Sequence, residues 1–166
     1  MSKTRNVLIK KLKSLDIDKK IIESFTSVDR IKFIDPFYHE QADKLIPLPI
    51  GFGEKGDDPL ILARMIALME PDKKWRVLEI GTGSGYSSAV LSNLVRELVS
   101  VEYHESLGRT AKLLLVDEGY YNIRFYGGDA SELRSEQLGI FDAIIIHAAC
   151  IHRPFGILSM LREGGR

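Results

Sequence analysis

Val77-Leu78-Glu79-Ile80-Gly81-Thr82-Gly83-Ser84-Gly85-Tyr86 is the stretch that decides the reading of this 166-residue chain. A buried-type strand runs into a turn with glycine at every second position, and a helix-spaced segment opens at Tyr86. Glycines let the backbone bend sharply and let a ligand approach closely, and the helix N-terminus that follows offers unpaired N–H groups. The spacing is G-x-G-x-G. It differs from the dinucleotide form G-x-G-x-x-G, and no Gly-Lys-Ser or Gly-Lys-Thr follows to make a P-loop, so NAD and ATP are disfavoured. Glu102 ends the next predicted strand, about 20 residues beyond the turn, where an acidic side chain can accept both hydroxyls of a ribose. Gly127-Gly128-Asp129 places another carboxylate after the third strand, where Asp129 could accept an adenine amino proton or cap the helix that follows. An adenosine-type ligand fits.

The segments on either side alternate. Trp75 to Ile80 reads as a strand, Tyr86 to Val95 as a helix, Leu98 to Glu102 as a strand, and Glu105 to Glu118 as a helix ended by Gly119. Ile123 to Tyr126 and Phe141 to Ile146 are two more strands. Strands alternating with helices imply right-handed crossovers and a parallel sheet covered on both faces, an α/β, Rossmann-like order. Upstream, Val7, Leu8, Leu12 and Leu15 fall at helical spacing, and Ile21, Ile22 and Phe25 do so again after Asp18, a candidate N-cap. Prolines 36, 47 and 49 with glycines 51, 53 and 56 make residues 36–58 a loop, and Pro59 starts a helix reaching Met69. The expectation is one structural domain, with residues 1–70 as N-terminal helices and a loop packed on a core of residues 71–166.

The chain is 45% hydrophobic and 28% charged, and its 23 Lys plus Arg balance 23 Asp plus Glu. Zero net charge removes the broad cationic field that drives nonspecific nucleic-acid binding. Apolar runs such as Ala143 to Ile146 fall far short of the roughly 20 residues of a membrane span, and Met1 to Lys20 alternates charge too often for a signal peptide. A soluble, cytoplasmic protein is expected, without membrane or nucleic-acid partners. The single cysteine, Cys150, suits a reducing compartment and is expected to pack in the core. His147, Cys150 and His152 cluster but lack a second ligand pair at zinc-like spacing, so no metal is expected. Gly108 within a helix has no evident reason, Trp75 and Tyr86 read as core or pocket walls, and Lys10, Lys11 and Lys13 read as a solvated face.

These residues resemble the class I S-adenosylmethionine-dependent methyltransferases, and within them the protein-L-isoaspartate O-methyltransferases. Val77 to Leu94, VLEIGTGSGYSSAVLSNL, is close to that family's glycine motif, including the tyrosine after the last glycine. Pro47-Leu48-Pro49-Ile50-Gly51, with Gly53 and Pro59, looks like the loop preceding its substrate motif. Val99-Ser100-Val101-Glu102, Gly119-Tyr120 with Asn122, Gly128-Asp129 and Phe141-Asp142-Ala143-Ile144-Ile145 continue the similarity over nearly the whole chain. The resemblance implies S-adenosylmethionine as cofactor, with Gly81, Gly83 and Gly85 at its methionine end, Glu102 at its ribose, and Gly128 with Asp129 at its adenine. Glu79, Thr82, Ser84, Tyr103, Ala130 and His147 complete the implied cofactor set. The implied reaction methylates the free carboxylate of isoaspartyl residues in damaged proteins, the first step of their repair.

Two departures matter. Where the family continues with Thr-Ile-Ser, one further residue and Pro, this chain has Glu54-Lys55-Gly56-Asp57-Asp58-Pro59, which puts Asp57 at the position of the substrate-contacting serine. Two like charges about 4 Å apart at an effective dielectric near 20 repel by about 4 kcal/mol, so bare carboxylates there oppose a carboxylate substrate. This keeps open a methyltransferase with another acceptor, or a noncatalytic relative that binds the cofactor or a protein. Second, the sequence ends at Gly164-Gly165-Arg166, which resembles the turn into the family's next strand. Without the family's C-terminal strands, Phe141 to Ile146 is expected to expose an apolar edge, as in a truncated chain or in a homodimer joined there.

Overall fold

The computed structural model describes residues 3–42 and 44–166, with side chains from residue 7 onward apart from residue 43. Helix α1 (Lys3–Ser14) turns at Asp16 into α2 (Lys19–Ser27), which Asp18 starts by accepting the Lys20 N–H at 2.8 Å. Leu8, Leu12, Ile21 and Phe25 are buried, whereas Val7 is exposed. Lys10, Lys11 and Lys13 face solvent.

The segment 36–58 departs from the expected loop. It holds a 3-10 turn, Pro36–Gln41, and then a hairpin of β1 (Leu48–Gly51) and β2 (Glu54–Gly56). Gly51, Phe52 and Gly53 all have positive φ, and this left-handed run reverses the chain. The glycines that suggested irregular backbone are therefore a hairpin turn. Next comes α3 (Pro59–Met69), bounded as expected, whose N-cap is Asp58 accepting the Leu60 N–H at 2.7 Å.

The main sheet takes in β3 (Arg76–Ile80), β4 (Glu97–Glu102), β5 (Ile123–Gly127) and β6 (Ala143–Ile146), all parallel, in the order β5-β4-β3-β6. Helix α4 (Tyr86–Ser92) joins β3 to β4, and α5 (Glu105–Asp117) joins β4 to β5. Because α4 ends three residues before Val95, carbonyls are released, and the Asn122 side chain donates to those of Ser92 at 2.9 Å and Val95 at 3.3 Å. Short helices α6 (Ser135–Leu138) and α7 (Phe155–Leu158) flank β6. Strand residues alternate between two buried faces. Val77, Leu98, Ala143 and Ile145 join Leu12, Phe25, Ile66 and Leu91 in one cluster, while Leu78, Ile80, Val99 and Val101 join Leu138, Ile157 and Met160 in another.

The outer edge of β6 is not bare, contrary to expectation. Leu161 bridges to Phe141, Ile144 donates its N–H to the Arg166 carbonyl at 2.9 Å, and the Arg166 N–H returns to the Asp142 carbonyl at 3.1 Å. The last residues thus cover the start of that edge. Gly108 also finds its reason, since a Cβ there would lie 3.1 Å from Cβ of Glu102. Cys150, expected in the core, is exposed. No helix among the described residues is long and apolar enough to cross a membrane.

Phe25 is fully buried, with its ring edge-on to Tyr86 at 6.3 Å between centroids. Phe25→Ala is expected to lower the unfolding free energy by about 3–5 kcal/mol in urea denaturation. A loss under about 1 kcal/mol would show that α2 is not part of the cooperative core.

Candidate active site

At the carboxyl end of the sheet the β3–α4 turn, the ends of β4, β5 and β6, and the β1–β2 hairpin enclose a cavity of about 340 Å³. Ligands of open α/β sheets bind at this end. Gly81 and Gly83, with φ of +95° and +56°, form its floor together with Thr82 and Ser84. A Cβ on Gly83 would come within 3.0 Å of Ile50 Cδ1, so the glycine lets the hairpin close down on the turn. Gly85 serves a different purpose, since it begins α4 away from the cavity, and a Cβ there would sit 2.9 Å from Leu115 Cδ1. Glu102 is buried at the end of β4 and holds the turn in place, one carboxylate oxygen accepting the Gly83 N–H at 2.8 Å and the other the His104 N–H at 2.9 Å. A carboxylate has about four acceptor sites, so both oxygens keep capacity for hydroxyls.

Tyr103, Gly128, Asp129 and Ala130 line the cavity from the β4 and β5 side. Asp129 fulfils the capping alternative, accepting the Ser131 N–H at 2.8 Å, and hydrogen bonding to Ser131 holds its carboxyl below the usual range. It caps and lines the cavity at once. Trp75 is a partly buried core residue, whereas buried Tyr86 reaches the cavity wall.

Glu79 is fully buried and is absent from the cavity wall. One of its oxygens, Oε2, accepts the hydroxyls of Ser88 and Ser100, and Ser100 in turn is 2.6 Å from the Thr82 hydroxyl. The other, Oε1, has no hydrogen-bond partner and lies 3.3 Å from Nε2 of His147, a charge contact between β3 and the end of β6. Nδ1 of His147 meets the Asp57 carboxylate at 2.5 Å, and Nε2 lies 3.0 Å from the Ser87 hydroxyl. Burial alone would lower the basicity of His147, yet hydrogen bonding to Asp57 and the charges of Glu79 and Asp57 outweigh it and raise the pKa to about 9. The ring is an imidazolium at neutral pH.

This alters the reading of the acidic loop. Asp57 faces an imidazolium and Asp58 caps α3, so the bare charges behind the expected repulsion are not present. Two further wall residues carried no sequence signal. Arg30 donates to the carbonyls of Ala42 (3.2 Å), Lys44 (2.8 Å) and Ile46 (2.9 Å), and burial lowers its pKa. His104 stacks on Phe52 of the hairpin tip, with centroids 4.9 Å apart. Among the described residues no group of three His, Cys, Asp or Glu is arranged to hold a metal ion.

A parallel sheet with a glycine cradle after one strand and a buried carboxylate at the end of the next is the architecture of a class I methyltransferase, and the S-adenosylmethionine cofactor of that class suits the open cradle and the buried acid. The chain belongs to the protein-L-isoaspartate(D-aspartate) O-methyltransferase family, whose model matches residues 3–166. It is 39% identical over 149 residues to the protein-L-isoaspartate O-methyltransferase of Myxococcus xanthus, covering 90% of this chain and 70% of that protein. The Vibrio atlanticus enzyme of the same name is 41% identical, with 90% and 71% covered. A solved protein-L-isoaspartate O-methyltransferase superposes with a TM-score of 0.85 at 28% identity, covering 97% of this chain but only 53% of that one. A Plasmodium falciparum structure in complex with S-adenosyl-L-homocysteine has the same fold, with a TM-score of 0.84 at 20% identity over 99% of this chain and 82% of that one.

The raised pKa of His147 ties stability to pH. Its ordinary value is 6.5 and its folded value about 9, so protonation stabilises the fold fully below 6.5, by about 3 kcal/mol, and the contribution is lost as pH rises through about 9. Urea midpoints of the wild type are expected to fall more steeply between pH 7 and 10 than those of Asp57→Asn; equal slopes would count against the ion pair.

Proposed function

We propose that the chain binds S-adenosylmethionine in this cavity and transfers its methyl group to the free carboxylate of isoaspartyl residues in proteins or peptides. The observation that carries this reading is that a single cavity is walled on one side by the glycine turn and Glu102 and on the other by the hairpin and Asp57. Cofactor and acceptor can therefore meet there. Gly81, Thr82, Gly83 and Ser84 would receive the methionine end of the cofactor, Glu102 the ribose hydroxyls, and Gly128, Asp129 and Ala130 the adenine, with Tyr103 beside it. Glu79 and Gly85 would act from behind, one through Ser88, Ser100 and His147 and the other through the packing of α4 on α5.

The bound cofactor supplies an electrophilic methyl group on a sulfonium. The chemistry asks little of the protein by way of acid–base catalysis, because a carboxylate acceptor is already ionised at neutral pH. What this chain contributes is orientation: a stiff turn fixed by Glu102 and a hairpin fixed by Asp57 and Phe52 hold two reactants in line. An exposed free thiol at Cys150 suits a reducing compartment such as the cytoplasm.

Calorimetric titration with S-adenosylhomocysteine is expected to give micromolar binding, weakened at least about tenfold in Glu102→Ala, which loses a charged acceptor. Methyl transfer should then be seen to an isoaspartyl peptide and not to its aspartyl isomer. Binding without transfer to either peptide would refute the acceptor assignment, and a folded protein that binds no S-adenosylhomocysteine would refute the reading as a whole.

A further inference from the structure

Asp57 and His147 stand 90 residues apart in sequence and meet at 2.5 Å in the cavity wall. Asp57 lies between the end of β2 and the N-cap of α3, and its side chain lines the cavity while keeping 30% of its surface exposed. His147 follows β6, with its ring 8% exposed and its backbone N–H on the Ile80 carbonyl at 2.9 Å, so its own position is fixed by the sheet. The groups facing the ring are Asp57 from the loop, Glu79 from β3 and the Ser87 hydroxyl from α4. Glu79 Oε2 holds two serine hydroxyls and its Oε1 lies 3.3 Å from Nε2, so the imidazolium stands between a fully buried carboxylate behind it and Asp57, the carboxylate on the cavity side, which it meets through Nδ1.

We propose that His147 is a positioning residue for methyl transfer: its ring anchors Asp57, and with it the hairpin, beside the cavity and offsets the negative charge that Asp57 would otherwise present to a carboxylate acceptor. The proposal rests on the acceptor assignment made above and deepens it. Asp57 stands where a substrate-contacting hydroxyl is expected, and an uncompensated carboxylate at that place repels the acceptor, whereas an ion pair does not. Lys55, two residues away in sequence, is exposed, so its screening of Asp57 is weak. The family serine is thus replaced by two residues rather than one: an acid that keeps the loop in place and a base that keeps the acid from repelling the substrate.

The signature of charge compensation is a rescue. His147→Asn removes the counter-charge of Asp57 and is expected to raise KM for an isoaspartyl peptide about tenfold or more, with kcat less affected. Asp57→Asn keeps an acceptor for the ring and removes the charge, so its KM should rise far less than that of His147→Asn. The double variant should recover most of the KM lost in His147→Asn. A purely structural role predicts no such recovery, and a double variant no better than His147→Asn overturns the proposal, as does a KM in Asp57→Asn raised as far as in His147→Asn. In the wild type, KM should rise as pH passes about 9, a rise absent from the double variant. Should the wild type bind S-adenosylhomocysteine but methylate no isoaspartyl peptide, the acceptor assignment fails, and with it the charge role; the anchoring role is then decided by NMR. A His147 ring that titrates near 9 in the wild type and lower in Asp57→Asn, with faster hydrogen exchange at residues 54–57 in His147→Asn, supports the anchor, and an unchanged titration overturns it.

Discussion

The carboxylate of Glu79 has no exposed surface, and much of the architecture follows from the need to accommodate it. An ionised carboxylate moved into a protein interior loses hydration worth several kcal/mol even after relaxation, so it persists only where hydrogen bonds and an opposite charge replace the water. Ser88 on α4 and Ser100 on β4 supply the hydrogen bonds to one oxygen, and His147 after β6 supplies the charge to the other. One buried group thereby ties β3 to a helix and to both neighbouring strands beneath the glycine turn. Through the Asp57 contact of His147 the same network reaches the hairpin, which belongs to a different part of the chain. The floor and the roof of the cavity are consequently set by one connected set of charges.

Glu102 plays the matching part from the other side. Its two oxygens take the N–H groups of Gly83 and His104, groups that the sharp β3–α4 turn and the end of β4 leave without strand or helix partners. The turn is therefore held by the protein's own hydrogen bonds. Preorganisation of this kind limits what binding must spend on ordering a loop, and it matters for methyl transfer because an in-line displacement depends on how the two reactants are aligned. The stack of Phe52 on His104 extends the arrangement, since the residue that Glu102 holds by its backbone carries the hairpin tip on its ring.

How much of this could be read in the sequence depended on how local each constraint is. The strands β3, β4 and β5, the N-cap of α2 and the whole of α3 were legible because hydrophobic period and capping residues act within a few positions of one another. The glycine turn was legible for the same reason, as positive φ leaves a residue-type signature. The hairpin was missed because its strands are four and three residues long and Phe52, rather than a glycine, occupies one of the left-handed positions. Helices α6 and α7, four residues each, are too short to show a period. Arg30 was invisible because its partners are backbone carbonyls, which carry no sequence identity. Cys150 was misplaced because its residue type favours burial while the loop that carries it does not.

The acidic loop shows most clearly where a one-dimensional reading stops. Taken alone, Asp57 and Asp58 are two charges in the path of a carboxylate, and Coulomb's law makes that repulsion large. The folded chain assigns them separate partners, a helix N-terminus for Asp58 and an imidazolium for Asp57, and both assignments depend on groups the local sequence does not contain. A substitution in a cavity-lining loop therefore cannot be judged by its own charge. It has to be judged by the charge of the group that the fold brings to it, which here comes from the far end of another strand and reverses the inference.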